Sequence, residues 1–374
     1  MKVLHLTGEH EDAGGVLSVL RNLQTASSQR DSWEFRLWVR DDYREVRSPS
    51  LNYERSRHAG ASDRRHFYLL FKSFLAYRDV RKVLLREHFD VVHAHTRGTL
   101  LVALWLAMHA GIKVVFTNHN FARRRWLYRR AAKVSRIHSV MLTPNMACHY
   151  RISPERENVS LISACYADEL LSRQRPNRFT TDGKVRLVGV GNIVRWKNWH
   201  LIIQALRQLP VDLRRRFEMD HWGPALADPA SNRYQSELLS AVGGSGLGKQ
   251  FRFHGMTTDV YSRLDEADWF ILPSTNEPCS VALMEALACG VPAVVSRSGG
   301  SVDILREGIT GAAFKPDDAA DLARVLALMA RGELRPQSAQ KIRESVRERS
   351  ASAVLDHYAT LYHRWRCSDG EETS

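Results

Sequence analysis

Two glutamates in one segment are the first candidates for chemistry. In PSTNEPCSVALMEALACG, Glu277 lies in a loop, and Glu285 lies two turns into a helix that we expect to start near Cys279. A carboxylate such as Glu285 can accept hydrogen bonds from two neighbouring hydroxyls of a sugar. The first amides of the helix would donate to an anion, and they belong to Cys279, Ser280 and Val281.

Two more loops carry residues suited to phosphate. GNIVRWKN (191–198) follows an apolar strand and opens a helix, so Arg195 and Lys197 would form a site for a diphosphate. A solvated basic turn explains this loop equally well when it is considered alone. Gly14 and Gly15 follow the first strand and would let backbone approach a ligand closely, although two adjacent glycines often make only a turn.

Histidines in the first half of the chain are weaker candidates. His119 lies in the loop FTNHN (116–120), where a histidine is often merely exposed, and His93 and His95 follow another apolar strand. The sequence has no Asp-x-Asp motif, and its histidines form no convincing ligand cluster with carboxylates. We therefore predict no metal site.

Apolar segments of strand length alternate with amphipathic helices along the whole chain. We expect strands at Val3–Leu6, Val91–Ala94, Lys113–Thr117, Val140–Thr143, Val185–Val190, Phe217–Trp222, Phe251–His254, Trp269–Leu272 and Ala293–Val295. The polar stretch 172–184 lacks apolar periodicity and is predicted to be a linker. Alternation of this kind predicts an α/β protein with two doubly wound parallel sheets and a cleft between them. Ligands bind such sheets at the carboxyl ends of the strands, which is where the loops described above fall.

Length and composition agree with a two-domain globular protein. The chain has 374 residues, of which 44% are hydrophobic and 25% charged, and its five cysteines are scattered. No CxxC pair occurs, which argues against a disulfide framework and favours a reducing, cytoplasmic location. The most apolar run, 99–116, is interrupted by polar residues, so we expect no membrane-spanning helix.

Positive charge is concentrated in one part of the chain. Residues 51–150 hold 18 Lys and Arg against 5 Asp and Glu, whereas residues 201–374 hold 20 against 23. Within the basic part, residues 62–86 and 121–133 interleave basic with aromatic side chains, which suits an anionic membrane surface. A core-facing helix with a solvated arginine face explains the pattern equally well. We expect no nucleic-acid partner, because no recognition fold is legible.

These motifs together resemble the retaining glycosyltransferases of family 4, also called glycosyl transferases group 1. The resemblance rests on four features. They are the Glu277–Glu285 spacing, the loop with Lys197 after the strand Val185–Val190, the Gly14-Gly15 loop and a second Gly-Gly at 299–300. It implies the GT-B fold, in which two Rossmann-like domains face each other across a cleft. Residues 1–171 would bind the acceptor and 184–352 the nucleotide-sugar donor, with a final helix at 353–367 packing back on the first domain.

The resemblance also implies roles for individual residues. Lys197 matches the lysine that holds the donor diphosphate, Glu285 the glutamate that binds the ribose, and Glu277 the carboxylate near the transferred sugar. His119 matches a histidine beside the sugar hydroxyls. The donor-binding set is completed by Gly14, Gly15, Asn192, Arg195, Cys279, Ser280 and Val281. Asn192 stands where the family usually has arginine, and Arg195 is the candidate to supply the missing charge.

The implied activity is metal-independent transfer of a sugar without a further cofactor. A UDP-sugar is favoured as donor and a GDP-sugar comes next, and the acceptor would be a hydroxyl of a cell-surface glycan, such as a lipopolysaccharide, or of a lipid-linked molecule. The location would be cytoplasmic, with peripheral binding to the inner face of the membrane. Two alternatives stay open at this point: an isomerase that resembles nucleotide-sugar 2-epimerases, and a non-catalytic relative that binds glycans or membranes.

Overall fold

A computed structural model describes most of the chain. The described residues are 1–10, 12, 14–30, 33–47, 50–60, 66–122, 124–173 and 183–366, without the side chains of 66–69. Most of the predicted linker, residues 62–65 and 123 of the two basic segments, and residue 367 of the final helix lie outside the described residues. The chain divides into two units, the first being Met1–Asp168 with the C-terminal segment from Ala351 and the second Glu169–Ser350.

The first unit is built on a seven-stranded parallel sheet. Its strands are β1 (Lys2–Leu6), β2 (Glu34–Arg40), β3 (Tyr53–Ser56), β4 (Val91–Ala94), β5 (Val114–Asn118), β6 (Ile137–Met141) and β7 (Val159–Leu161). They are arranged in the order β3-β2-β1-β4-β5-β6-β7. All residues of β4, β5 and β6 are buried, as expected of a parallel sheet covered on both faces.

Helices connect these strands. They are α1 (Gly15–Ser27), α2 (His66–Arg86), α3 (Arg97–His109), α4 (Arg125–Ala131), α5 (Pro144–Tyr150) and the C-terminal helix (Ala351–Arg364). The start of α5 follows directly from its sequence: the Thr143 hydroxyl accepts from the Met146 amide at 3.2 Å, and Pro144 occupies the first helical position. Thr143 is therefore a helix cap rather than the end of a strand, and β6 ends at Met141.

The C-terminal helix belongs to the core of the first unit. It packs against α1, the Tyr362 hydroxyl lies 2.7 Å from His93 Nδ1, and the Tyr358 hydroxyl lies 3.0 Å from Thr117 Oγ1. The chain leaves the first unit after Asp168 and rejoins it at Ala351. A hydrogen bond of 3.0 Å from the Ser352 amide to Asp168 Oδ1 ties these two points together.

The second unit is built on a six-stranded parallel sheet. Its strands are β8 (Val185–Val190), β9 (Phe217–Trp222), β10 (Phe251–Gly255), β11 (Trp269–Leu272), β12 (Ala293–Ser296) and β13 (Gly311–Phe314), in the order β10-β9-β8-β11-β12-β13. Its helices are α6 (Glu169–Ser172), α7 (His200–Gln208), α8 (Val211–Arg214), α9 (Pro229–Gly243), α10 (Val260–Asp265), α11 (Val281–Ala288), α12 (Ala319–Ala330) and α13 (Ala339–Glu344). Helices α7 and α12 pack together.

The predicted α/β class with two doubly wound sheets is confirmed. Four strands were not predicted from the sequence, namely β2, β3, β7 and β13. The short strands β3, β7 and β13 offer only three or four residues of pattern, and β2 carries charged residues at both ends. Within the described residues, no helix combines the length and apolar character that crossing a bilayer requires.

Candidate functional site

An ion pair marks the carboxyl end of the second sheet. Lys197 follows β8 and Glu277 follows β11, and these strands are neighbours, so the two loops emerge side by side. Lys197 Nζ lies 2.5 Å from Glu277 Oε2, and only about a tenth of either side chain is exposed, 10% and 9%. The predicted diphosphate lysine and sugar glutamate, 80 residues apart in sequence, are therefore in direct contact.

A short turn sets the position of Lys197. Residues Arg195–Lys197 form one turn of 3₁₀-helix, closed by a 3.0 Å hydrogen bond from the Lys197 amide to the Val194 carbonyl. The turn ends at Asn198, which adopts the left-handed conformation with φ 62° and donates from Nδ2 to Asp317 Oδ1 at 2.9 Å. Asparagine tolerates this conformation better than most residues, so the turn can end sharply beside the lysine.

Backbone contacts with the next loop set the position of Glu277. The Gly300 amide donates to the Glu277 carbonyl at 2.7 Å, and the Ser274 hydroxyl donates to Glu277 Oε2 at 3.2 Å. Gly299 has φ 57°, and a Cβ there would lie 2.3 Å from the Glu277 carbonyl oxygen. Only glycine fits at this position, so the downstream Gly-Gly serves here to let the β12 loop close against Glu277.

Helix α11 begins two residues later than the sequence suggested. Ser280 is its N-cap, accepting from the Leu283 amide at 3.2 Å, and Val281 is its first helical residue. Glu285 is consequently one turn into the helix, not two, and it is half-buried. Burial raises the pKa of Tyr261, and the negative charge of Glu285 raises it further. Cys279 is buried before the cap.

The other two predicted residues of the loop 191–198, Arg195 and Asn192, make contacts elsewhere in the second unit. Arg195 is exposed, donates to Glu237 Oε2 at 2.7 Å, and stacks its guanidinium 4.6 Å from the centre of the Tyr234 ring. The backbone carbonyl of Asn192 accepts from Trp199 Nε1 at 3.1 Å. Arg195 would have to leave Glu237 in order to supply the charge that Asn192 lacks.

The Gly-Gly loop of the first unit opens α1. Gly14 is its N-cap with φ 84°, and no atom of a described residue outside its immediate neighbours lies within 4 Å of where its Cβ would be. Gly15 is the first residue of α1, and both glycines are exposed. Asp12, just before them, is fully buried on Arg21. Burial alone would raise the pKa of Asp12, but hydrogen bonds from Arg21 and from backbone amides hold it below its usual range.

A chain of histidines lies at the carboxyl end of the first sheet. His119 Nε2 is 3.1 Å from His95 Nδ1, and His95 Nε2 is 2.9 Å from His5 Nδ1. His93 adjoins the chain, with 4.0 Å between its ring centre and that of His95, and binds Tyr362 and Thr117 through its two nitrogens. Burial lowers the pKa of His5 to about 3 and that of His119 to about 4.

Three of these histidines also have the spacing of a metal-ligand set. Ring nitrogens of His5, His93 and His95 lie within 4.8 Å of one another. Every ring nitrogen of these three residues except His5 Nε2 lies within hydrogen-bond distance of another histidine or of a hydroxyl group, so a metal ion would have to displace existing hydrogen bonds. His5 could not be identified from the sequence, because it lies within an apolar strand. The pairing of β1 with β4, which places His5 opposite His93, is the signal that would reveal it.

Comparison with known proteins identifies the family of this chain. The family model described as "Glycosyl transferases group 1" matches residues 172–349, and the model described as "Glycosyltransferase Family 4" matches residues 13–145. The chain belongs to the group 1 glycosyltransferases. Membership of this family favours a transferase over the isomerase and over the non-catalytic binding protein.

The individual relatives are distant in sequence, and the share of the chain that they match differs. N-acetyl-alpha-D-glucosaminyl L-malate synthase of Bacillus anthracis is 21% identical over 75% of this chain and 76% of its own length. The lipopolysaccharide core glycosyltransferase LpsE of Rhizobium meliloti is 29% identical over 47% of this chain and 48% of its own. The structure of HepE from Anabaena with UDP and glucose matches with a TM-score of 0.74 and 16% identity, covering 97% of this chain and 99% of that one.

Proposed function

We propose that this glycosyltransferase moves a sugar from a UDP-sugar to a hydroxyl of a glycan or lipid-linked acceptor, with retention of anomeric configuration and without a metal ion. The Lys197–Glu277 pair carries the proposal. An ammonium group suits a diphosphate, and a carboxylate suits sugar hydroxyls, so the two halves of a nucleotide-sugar would be bound by adjacent side chains.

The lysine would act on the leaving group. Breaking the bond between the sugar and the diphosphate develops negative charge on the departing phosphate oxygen. Lys197 has three N–H donors, one of which points to Glu277, and its burial would strengthen its attraction for that charge. The first amides of α11 would donate to the same phosphate, as the N-termini of helices do in other anion-binding sites.

The glutamate would position the sugar rather than attack it. Glu277 Oε2 already accepts from Lys197 and Ser274, whereas Oε1 makes no hydrogen bond to any residue that the structure describes. That free oxygen can accept from a sugar hydroxyl. In a same-face mechanism the acceptor oxygen attacks the anomeric carbon, the bond to the diphosphate breaks, and the acceptor proton passes to a phosphate oxygen. No separate base is then needed.

The choices of donor and acceptor draw on the relatives. HepE is described in complex with UDP and glucose, which supports a UDP-sugar ahead of a GDP-sugar. LpsE is described as acting in lipopolysaccharide core biosynthesis, which supports a glycan or lipid-linked acceptor.

Calorimetric titration with UDP, GDP and ADP tests the donor site. We expect UDP to bind the wild type and to bind Lys197→Ala at least tenfold more weakly, because a hydrogen bond to a charged group is lost. Lys184→Ala is the matched control, since Lys184 lies at the opposite end of β8 and should leave the affinity unchanged. Equal UDP affinity in wild type and Lys197→Ala would refute the assignment of the donor site.

We also propose an anionic membrane surface as a partner of the first unit. On α2, Leu70 and Phe71 are 47% and 61% exposed, and Trp126 on α4 is 58% exposed. Arg78 and Arg81 are exposed on α2 as well. Tyr77 and Tyr128, which the sequence pattern grouped with them, are buried instead. The proposed membrane contact therefore includes only part of the segments 62–86 and 121–133.

A further inference from the structure

We infer that His5 and His95 fix the tautomer of His119, so that His119 carries its proton on Nδ1 and offers that N–H to a hydroxyl group of a ligand. The three rings form one hydrogen-bonded chain, with 2.9 Å between His5 Nδ1 and His95 Nε2 and 3.1 Å between His95 Nδ1 and His119 Nε2. Each imidazole in such a chain constrains the next.

The tautomer of His119 is fixed in this way only when all three imidazoles are neutral. His5 and His95 are fully or almost fully buried, 0% and 3% exposed, with no carboxylate among their hydrogen-bond partners. Burial disfavours the charged form and lowers the pKa of all three histidines far below neutral pH. A neutral imidazole has one N–H and one acceptor nitrogen, so the chain can be polarised in only two ways.

The far end of the chain distinguishes the two polarities. His5 Nε2 is buried and makes no hydrogen bond to any described residue, and the Phe35 ring, whose centre lies 4.7 Å from that of His5, offers no lone pair. If His119 Nε2 were the first donor, His95 would donate to His5, and His5 would be left with a buried N–H on Nε2. A buried N–H without an acceptor is rarer than an acceptor without a donor.

The opposite polarity avoids this cost. His5 then donates from Nδ1 to His95 Nε2, and His95 donates from Nδ1 to His119 Nε2. The proton of His119 must therefore be on Nδ1, which makes no hydrogen bond to any described residue. His119 reaches the surface, so this N–H is available to a ligand. If the proposed function is correct, the ligand group is a hydroxyl of a sugar substrate, and His119 is a hydrogen-bond donor rather than a base.

Nitrogen NMR of the full chain tests the tautomer without any substrate. Protein containing ¹⁵N-histidine is treated with EDTA and studied at pH 7.5, and His119→Gln assigns the signals of His119. We expect Nδ1 of His119 to be protonated and Nε2 to be unprotonated. A proton on Nε2, or an equal mixture of tautomers, would overturn the inference, and this measurement needs only the wild-type fold.

Two variants distinguish the effect of the hydrogen-bonded histidines from the general effect of removing a buried histidine. His5→Phe removes the first donor, so we expect a second tautomer of His119 to appear. His138→Phe is the control. His138 is also buried in this sheet, but its hydrogen-bond partner is Ser160, which does not belong to the histidine chain. His119 should keep its tautomer in that variant. An unchanged His119 in His5→Phe would show that His5 does not set the polarity.

Zinc and activity provide the remaining outcomes. Adding zinc should leave the ring signals unchanged; shifts of His5, His93 and His95 together would mean that these nitrogens ligate metal, and would overturn the hydrogen-bonded chain. In a transfer assay, His5→Phe should lower kcat/KM in proportion to the fraction of His119 that leaves the Nδ1–H tautomer, about twofold for an equal mixture. If the tautomer changes but transfer does not, the tautomer assignment stands and the proposed contact between His119 and the sugar fails.

Discussion

Buried imidazoles couple the stability of the protein to mild acid. Burial lowers the pKa of His5 and His221 to about 3 and that of His119 and His138 to about 4, against an ordinary value of 6.5. Each group binds a proton more readily in the unfolded chain than in the folded one. The stability tied to these groups is therefore fully present above pH 6.5 and is lost as the pH falls toward the lowered values.

His221 isolates this effect in a single residue. It lies on β9 in the second unit, is 0% exposed, and packs against Trp199 with 4.4 Å between ring centres. In His221→Leu we expect the free energy of unfolding to fall less steeply between pH 6.5 and 5, by about 1.4 kcal/mol per pH unit at most. Urea unfolding at several pH values measures the slope.

The slope distinguishes protonation of His221 from loss of packing. A packing defect lowers the free energy of unfolding by the same amount at every pH and leaves the slope unchanged. His357→Leu is the control, since His357 is exposed on the C-terminal helix and should leave the pH dependence as it is. If His221→Leu has the slope of the wild type, protonation of His221 does not limit stability in acid.

At the scale of elements, the start of α11 tests whether a helix terminus contributes to donor binding. Ser280→Ala removes the hydroxyl that accepts from the Leu283 amide, so we expect a loss of about 1 kcal/mol in the free energy of unfolding. We also expect weaker UDP binding, because the first amides of the helix would lose their fixed orientation. Chemical denaturation and calorimetry on the same protein give both quantities.

Ser338→Ala is the matched control for this variant. Ser338 caps α13 in the same unit, accepting from the Lys341 amide, and it lies in no proposed site. Its loss should lower stability by a similar or smaller amount and leave UDP affinity intact. Weaker UDP binding in both variants would indicate a general loss of stability rather than a role for the α11 terminus.

Local pattern predicts most elements but not the contacts between them. Strand β11 and the loop that follows it are evident from Trp269–Leu272 and the residues after it, because an apolar run ends in polar residues. The contact between Lys197 and Glu277 is not evident, since it depends on β8 and β11 being neighbours in the sheet. The start of α11 was misjudged for a simpler reason: Cys279 and Ser280 both precede the apolar residues, and only the hydrogen bond identifies the cap.

The histidine chain shows the same limit at the scale of the sheet. His5, His95 and His119 are far apart in sequence, and the order β1-β4-β5 brings them together. His93 and His95 could be chosen from the sequence because they end a strand. His5 could not, because an imidazole inside an apolar strand is usually a core residue with local partners.

For the whole molecule, the uneven distribution of charge makes the proposed membrane contact testable. We expect wild-type protein to co-sediment with vesicles containing phosphatidylglycerol and not with neutral vesicles, because basic residues of the first unit would supply the attraction. Phe71→Ser should reduce binding severalfold by removing an exposed apolar group. High salt should reduce it as well.

Leu239→Ser is the control for the vesicle experiment. Leu239 is 53% exposed, but it lies on α9 in the second unit, away from the basic part of the sequence. Equal binding of the two variants would place the membrane contact elsewhere. Equal binding of wild type to neutral and anionic vesicles would refute an electrostatic contact.

The hydrogen bond between Ser352 and Asp168 has a consequence for how this protein can change over evolution. Since the second unit is one uninterrupted segment whose two junctions are fastened together, it can be replaced as a cassette. A corresponding unit from another enzyme would need only two splice points, and the histidine chain and the C-terminal helix would stay with their own sheet. If the second unit binds the donor and the first the acceptor, as the family resemblance implies, such recombination would change donor preference and leave acceptor recognition as it was.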